Sequence, residues 1–209
     1  VEQRPLDWRF RLSLAQSALT LGLVTRDQDM TDEAVQLYRE VAQLDPQSWW
    51  HWERLAAAHI QVGQPEASLE PLEKSLAISD GIPRSAISRL LEGMAYFQLG
   101  EPATALGPFD EAIRLDPNLT EAYTNRGASY NALGKYQRAI QDLDEAIKLN
   151  PEMAMAYNNR GNSYGNLDQV FAKLPIKTHE SPIKIRLLVV SDQHLSDAGH
   201  PTKEYLISQ

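Results

Sequence analysis

The chain has 209 residues, 43% of them apolar, and a formal charge of −8, enough apolar material to bury one elongated domain. No run of about 18 apolar residues occurs, so no membrane-spanning helix is expected, and with no cysteine disulfides and thiol chemistry are excluded. Five Lys/Arg balance five Asp/Glu from Asp168 onward, so the negative excess falls on the residues before it, a poor host for a nucleic-acid backbone.

In chain order the sequence divides into units that resemble one another. Residues 8–48 carry Leu14-Ala15, Gly22, Ala34, Tyr38 and Pro46, with about seven extra residues expected between two helices, in the stretch Leu23 to Met30. Pro5 precedes Trp8 as Pro46 precedes Trp49, and reads as the closing proline of an earlier unit. Residues 49–85 carry Trp52, Leu55-Ala56, Gly63, Ser68, Leu72 and Ser75, with Asp80 in place of the closing proline and three extra residues in the link. Residues 86–119 carry Gly93, Tyr96, Gly100, Ala105, Phe109, Ala112 and Pro117. Sliding these by 34 residues lands on Gly127, Tyr130, Gly134, Ala139, Leu143, Ala146 and Pro151 of 120–153; Gly161 and Tyr164 then begin a half-unit, 154–167. A fixed period in this range marks a stacked repeat. Each unit reads as two amphipathic helices, the first closed by its glycine and the second by its proline.

Pro65 and Pro102 fall at the first turn of the second helices, where the missing N–H is harmless. Pro71 and Pro108 share a later slot, where an outward kink is expected.

These residues resemble the tetratricopeptide repeat, with its W-x2-L-G-x2-Y, A-x3-F, A and P pattern. The match is closest in 86–153, good in 49–85 and looser in 8–48. The resemblance implies an all-α right-handed superhelix whose first helices line a concave groove holding peptides or partner proteins. It implies a non-enzymatic scaffold or adaptor without cofactors. In such a stack Ile87, Leu90, Leu91, Met94, Phe97 and Gln98 of one unit face the groove. So do Glu121, Thr124, Asn125, Ala128, Asn131 and Ala132 of the next, and Met155, Asn158, Asn159, Asn162, Gly165 and Asn166 of the last. Trp50, Glu53, Arg54 and Ile60 join them upstream.

An extended partner would therefore pair its backbone with Asn125, Asn131, Asn158, Asn159 and Asn162, because a carboxamide both donates and accepts. Its apolar side chains would turn toward Trp50, Leu90 and Met94. No lysine occupies the matching first-helix positions, which disfavours a clamp for a C-terminal carboxylate. Arg126 and Arg160 face the packed side instead, and Arg126 is expected to pair with Asp142. Open ends of the array make self-association a further expectation.

The pattern breaks at Asp168, and residues 168–209 read as an irregular tail. Its apolar run Ile183–Val190 is expected to be a strand. The following Ser191-Asp192-Gln193-His194 weakly resembles the opening motif of calcineurin-like metallophosphoesterases, which implies Asp192 and His194 as metal ligands. That leaves a fragment of a metal-dependent phosphoesterase as the alternative function. The same strand also fits the start of a caspase-like peptidase domain, which follows such arrays in bacteria. No charged-then-apolar leader opens the chain, so a cytoplasmic location is expected.

Overall fold

A computed structural model describes residues 8–79 and 85–173, and every regular element in them is helical. The helices are α1 Trp8–Thr25, α2 Gln28–Leu44, α3 Trp49–Gln61, α4 Pro65–Ser79, α5 Ala86–Gln98, α6 Pro102–Leu115, α7 Thr120–Ala132, α8 Tyr136–Leu149 and α9 Ala154–Lys173. The expected strand over 183–190, with Asp192 and His194, lies outside the described residues. Among the described residues no helix is long and apolar enough to cross a membrane.

The closing prolines act through the residue before them. Asp45, Asp116 and Asn150 have φ near −135° and ψ between 78° and 94°. Each is excluded from the helical region by the proline ring that follows. Its N–H still completes the last helical bond, to Val41, Ala112 or Ala146.

Glycine closes the first helices by a different route. Gly63, Gly100 and Gly134 take φ of 75°, 80° and 71°, a region that a Cβ makes costly. Each lets the next residue donate back five positions: Gln64 to His59, Glu101 to Tyr96 and Lys135 to Tyr130.

The first hairpin departs from the expectation. Its extra residues do not form a link; they lengthen α1 to 18 residues and α2 to 17, against 13 to 15 in the next three hairpins. Gly22 does not close α1. It lies inside the helix where α2 crosses, and a Cβ there would stand 2.8 Å from Thr31 Cγ2. The turn moves to Arg26, at φ 59°, and Asp27 donates back to Gly22. Asp27 then caps α2 by accepting from the Met30 N–H. No glycine is available at 23–27 to stop the helix earlier.

Pro65 and Pro102 open α4 and α6, and Pro71 and Pro108 lie inside them. The helices pair as hairpins, and each second helix packs on the next first helix: α2 on α3, α4 on α5, α6 on α7. The first helices also meet one another, α3 with α5 and α5 with α7. This is the all-α superhelical stack that the sequence predicts. Its core is a series of small clusters, one per hairpin junction, such as Phe109 with Leu90, Ala105, Ala112 and Ala122. Small residues recur at one first-helix slot, held by Ala15, Ala56, Gly93 and Gly127, all buried. They allow close helix approach.

Candidate peptide-binding groove

Contact among α3, α5 and α7 puts one face of each first helix on a shared surface. The structure divides the expected groove residues into two sets. Leu90 is only 6% exposed and packs against Phe109, Ala105 and Ala122, so it belongs to the core and not to the groove, contrary to the sequence expectation. Thr124, one unit on, is fully buried and returns its hydroxyl to the Thr120 carbonyl at 3.0 Å. The same slot in the preceding unit holds Glu53, which accepts from the Ser88 hydroxyl at 2.8 Å. In each case the following repeat covers this position. Asn158 holds it in the last unit and is exposed, because no described helix follows α9.

Met94 is half-buried and bridges two core clusters. The apolar side chains that reach the surface of α5 are Ile87, 40% exposed, and Phe97, 36% exposed. Both sat at expected groove positions, but apolarity alone pointed to Leu90 and Met94. Only knowledge of what the next repeat covers separates the two pairs.

The amides are placed unevenly. Asn125 and Asn159 are half-buried at equivalent slots, and Asn162 is exposed. The Asn125 amide donates to the Glu121 carbonyl at 2.8 Å, leaving its Oδ1 as an acceptor. Asn131 accepts from Asn166 at 3.2 Å, joining α7 to α9. A peptide reaching Asn131 must compete with that bond.

At the other end Trp50 is half-buried. Its ring lies 6.2 Å from Trp8 and 4.6 Å from His51, with the Arg54 guanidinium 5.8 Å away over its face. His51 is 2% exposed, and neither ring nitrogen has a hydrogen-bond partner among the described residues. Burial lowers its pKa, against the pull of Asp45 4.0 Å away. His59, beside Gln64 at 2.9 Å, is lowered for the same first cause. Both are favoured neutral in the fold, so their contribution is present above the unfolded-state value of about 6.5 and is lost as pH falls below it. The thermal midpoint should therefore drop between about pH 7.5 and pH 5.5, and His51→Phe should flatten that slope. An unchanged slope in calorimetry would show that His51 does not titrate with folding.

The packed side behaves as the sequence predicts and adds a partner. Arg126 donates Nε and Nη2 to the two Asp142 oxygens at 2.8 and 2.7 Å. Its Nη1 reaches Asp110 of the previous repeat at 2.6 Å. Burial opposes the charge on Arg126, but the two carboxylates outweigh it and raise its pKa further. Burial likewise raises Asp142, and the Arg126 fork offsets only part of this. Arg160 repeats the inter-repeat half of the arrangement, donating to Asp144 at 2.6 Å. Among the described residues no group of three or more His, Asp or Glu side chains is placed to hold a metal.

Comparison with curated protein sequences gives no significant match. Family models described as tetratricopeptide repeat match residues 53–120 and 120–153. Among solved structures, the MamA protein is similar at 23% identity and TM-score 0.57, covering 76% of this chain and 87% of that one. TTC0263, a thermophilic TPR protein of Thermus thermophilus, is similar at 21% identity and TM-score 0.56, covering 78% and 93%. The first TPR of Spaghetti (RPAP3) bound to the HSP90 peptide SRMEEVD is similar at 23% identity and TM-score 0.55, covering 58% and 97%. At these identities the structures speak for the fold. Residues 53–153 are tetratricopeptide repeats, and the helical stack they belong to is a tetratricopeptide-repeat superhelix.

Proposed function

We propose that the chain is a non-enzymatic scaffold that holds an extended segment of a partner protein against its first helices. The observation that carries this is the surface shared by α3, α5 and α7, to which α5 contributes the exposed Ile87 and Phe97 and α7 the half-buried amide of Asn125. Apolar anchors beside a carboxamide suit a peptide whose side chains seek burial while its backbone needs partners. A similar stack, the first TPR of Spaghetti (RPAP3), is bound to an HSP90 peptide, which supports this use of the fold. The partner class differs here. The groove positions of α3, α5 and α7 contain no lysine, and the arginines of α7 and α9 are turned to the packed side, which leaves Arg54 of α3, over the Trp50 ring, in place of the lysines that a terminal-carboxylate clamp would use.

The test is a pull-down with the intact chain, followed by mapping of the captured segment. Replacing Asn125 and Asn159 together by Ala should weaken that segment about tenfold, the loss of one or two hydrogen bonds, with unchanged helical circular dichroism. Phe97→Ala should weaken it comparably through lost burial. Full affinity in both variants would show that the partner binds elsewhere.

A further inference from the structure

α9 is a first helix with no second helix after it among the described residues. Its Tyr157, Arg160, Gly161 and Tyr164 repeat Tyr123, Arg126, Gly127 and Tyr130 of α7 at 34 residues. On α7 this face is filled by α8. Leu143 Cγ lies 2.8 Å from where a Gly127 Cβ would stand, and Asp142 takes the Nε and Nη2 donors of Arg126. On α9 no described helix covers the same face. No described atom lies within 4 Å of a Cβ built on Gly161, and Tyr157 and Tyr164 are 42% and 37% exposed.

The receiving side chains are nevertheless in position. Arg160 lies 5.3 Å over the Tyr157 ring, as Arg126 lies 5.6 Å over Tyr123. Its Nη1 is held by Asp144 as that of Arg126 is held by Asp110. Its Nε and Nη2, the edge that grips Asp142 on α7, have no acceptor among the described residues. The usual turn is also missing: Asp168 stands where Gly134 reverses the chain, and α9 runs on to Lys173.

We propose that α9 docks a helix carried by another protein, in the place that α8 takes on α7. The chemistry of the receiving face defines the guest. The two-donor edge of Arg160 calls for a carboxylate held side-on, and the notch at Gly161 calls for a leucine beside it. Close approach requires small residues one turn to either side. The guest is thus an amphipathic helix with the pattern small-x-x-Asp-Leu-x-x-small, which Ala139, Asp142, Leu143 and Ala146 supply within this chain. A preset arginine and an unfilled notch lower the ordering cost of such binding. The inference does not rest on the groove reading, since the face lies on the packed side of the helix.

The probe is a synthetic Tyr136–Leu149 peptide, crosslinked between the exposed Gln137 and Gln141 because so short a helix is marginal alone. Its fluorescence anisotropy is followed as the full chain is added. Saturable binding is expected. Arg160→Gln or Gly161→Leu in the protein, or Asp142→Asn in the peptide, should each weaken it about tenfold or more. The double Asn125→Ala/Asn159→Ala variant should bind the peptide normally, so the groove and this face fail or succeed separately. Circular dichroism checks that each variant is folded. The proposal is overturned by no saturable binding up to about 1 mM, or by binding that ignores all three substitutions. It is also overturned by a dimer of the chain that Gly161→Leu dissociates, since the guest would then be a second copy.

Discussion

Gly93→Ala should destabilise the protein by about 2 kcal/mol, although alanine is the better helix former by about 1 kcal/mol. A Cβ at this slot would stand 2.4, 2.6 and 2.8 Å from three ring carbons of Phe109. That ring has no exposed surface and packs among Leu90, Ala105, Ala112 and Ala122, so making room for a Cβ must displace the ring or part the helices. Overpacking of this kind costs about 1–3 kcal/mol, and a contact this short belongs at or beyond the upper end. The midpoint of thermal unfolding should fall by about 6 °C for a chain of this size. The neighbouring repeat supplies the remedy. There the slot holds Ala56, which packs in one cluster with Leu72, the counterpart of Phe109. Adding Phe109→Leu to Gly93→Ala reproduces that pair and should restore most of the loss, a coupling visible only in the full double-mutant cycle. Gly161→Ala should do the opposite and raise the midpoint, because its Cβ meets no described atom and only the helix propensity is left. Equal effects at Gly93 and Gly161 would mean that the two slots are not packed differently.

Asp142→Ala should cost about 2–3 kcal/mol. Removing one member of a fully buried pair costs about 3–5 kcal/mol. Two observations reduce the figure here: the side chains keep 11% and 18% exposure, and Arg126 retains Asp110. Asp110→Ala, at a position with 57% side-chain exposure, should cost well under 1 kcal/mol. The third partner changes what a charge reversal at 126 and 142 should show. With two residues alone, Arg126→Asp with Asp142→Arg should restore stability. With Asp110 at 2.6 Å from the arginine, an aspartate at 126 faces a like charge, and the swap should recover only part. Adding Asp110→Asn to the swap should recover more. Urea unfolding of Asp142→Ala, the swap and the swap with Asp110→Asn decides this, and full recovery by the simple swap would show that Asp110 has no energetic part. The preceding repeats put Pro71 and Pro108 where this one has Asp142. The ion pair is thus one solution at the slot, in keeping with the near-neutral balance of burial and attraction in such pairs.

The period of the sequence was enough to place α3 to α8, because every boundary but the end of α4, where Asp80 replaces the proline, falls at a residue with a local mechanism or is fixed by the repeat spacing. Pro46, Pro117 and Pro151 exclude the preceding residue from the helix, and Gly63, Gly100 and Gly134 supply the left-handed turn. The first hairpin was misjudged because its reversal falls on Arg26, a residue type that rarely takes φ of 59°, while a glycine nearby had a different task. Leu90 was misplaced for a related reason. Helical spacing says which face a side chain is on, but not which part of that face the next repeat covers. Trp8, Trp50 and His51 could not be grouped from sequence, since 42 residues separate the tryptophans and only the fold brings their rings together.

The slot shared by Glu53, Leu90, Thr124 and Asn158 also has a consequence for how such an array diversifies. Its occupant is covered where a described hairpin follows and exposed at Asn158, which no described helix follows. Gaining or losing a single hairpin at that end would thus convert a structural residue into a recognition residue, or the reverse, with no codon altered at the slot. Length polymorphism would then be a route to new ligand preference, and a carboxamide at the last copy would be tolerated as a filler in one length form and selected as a contact in another.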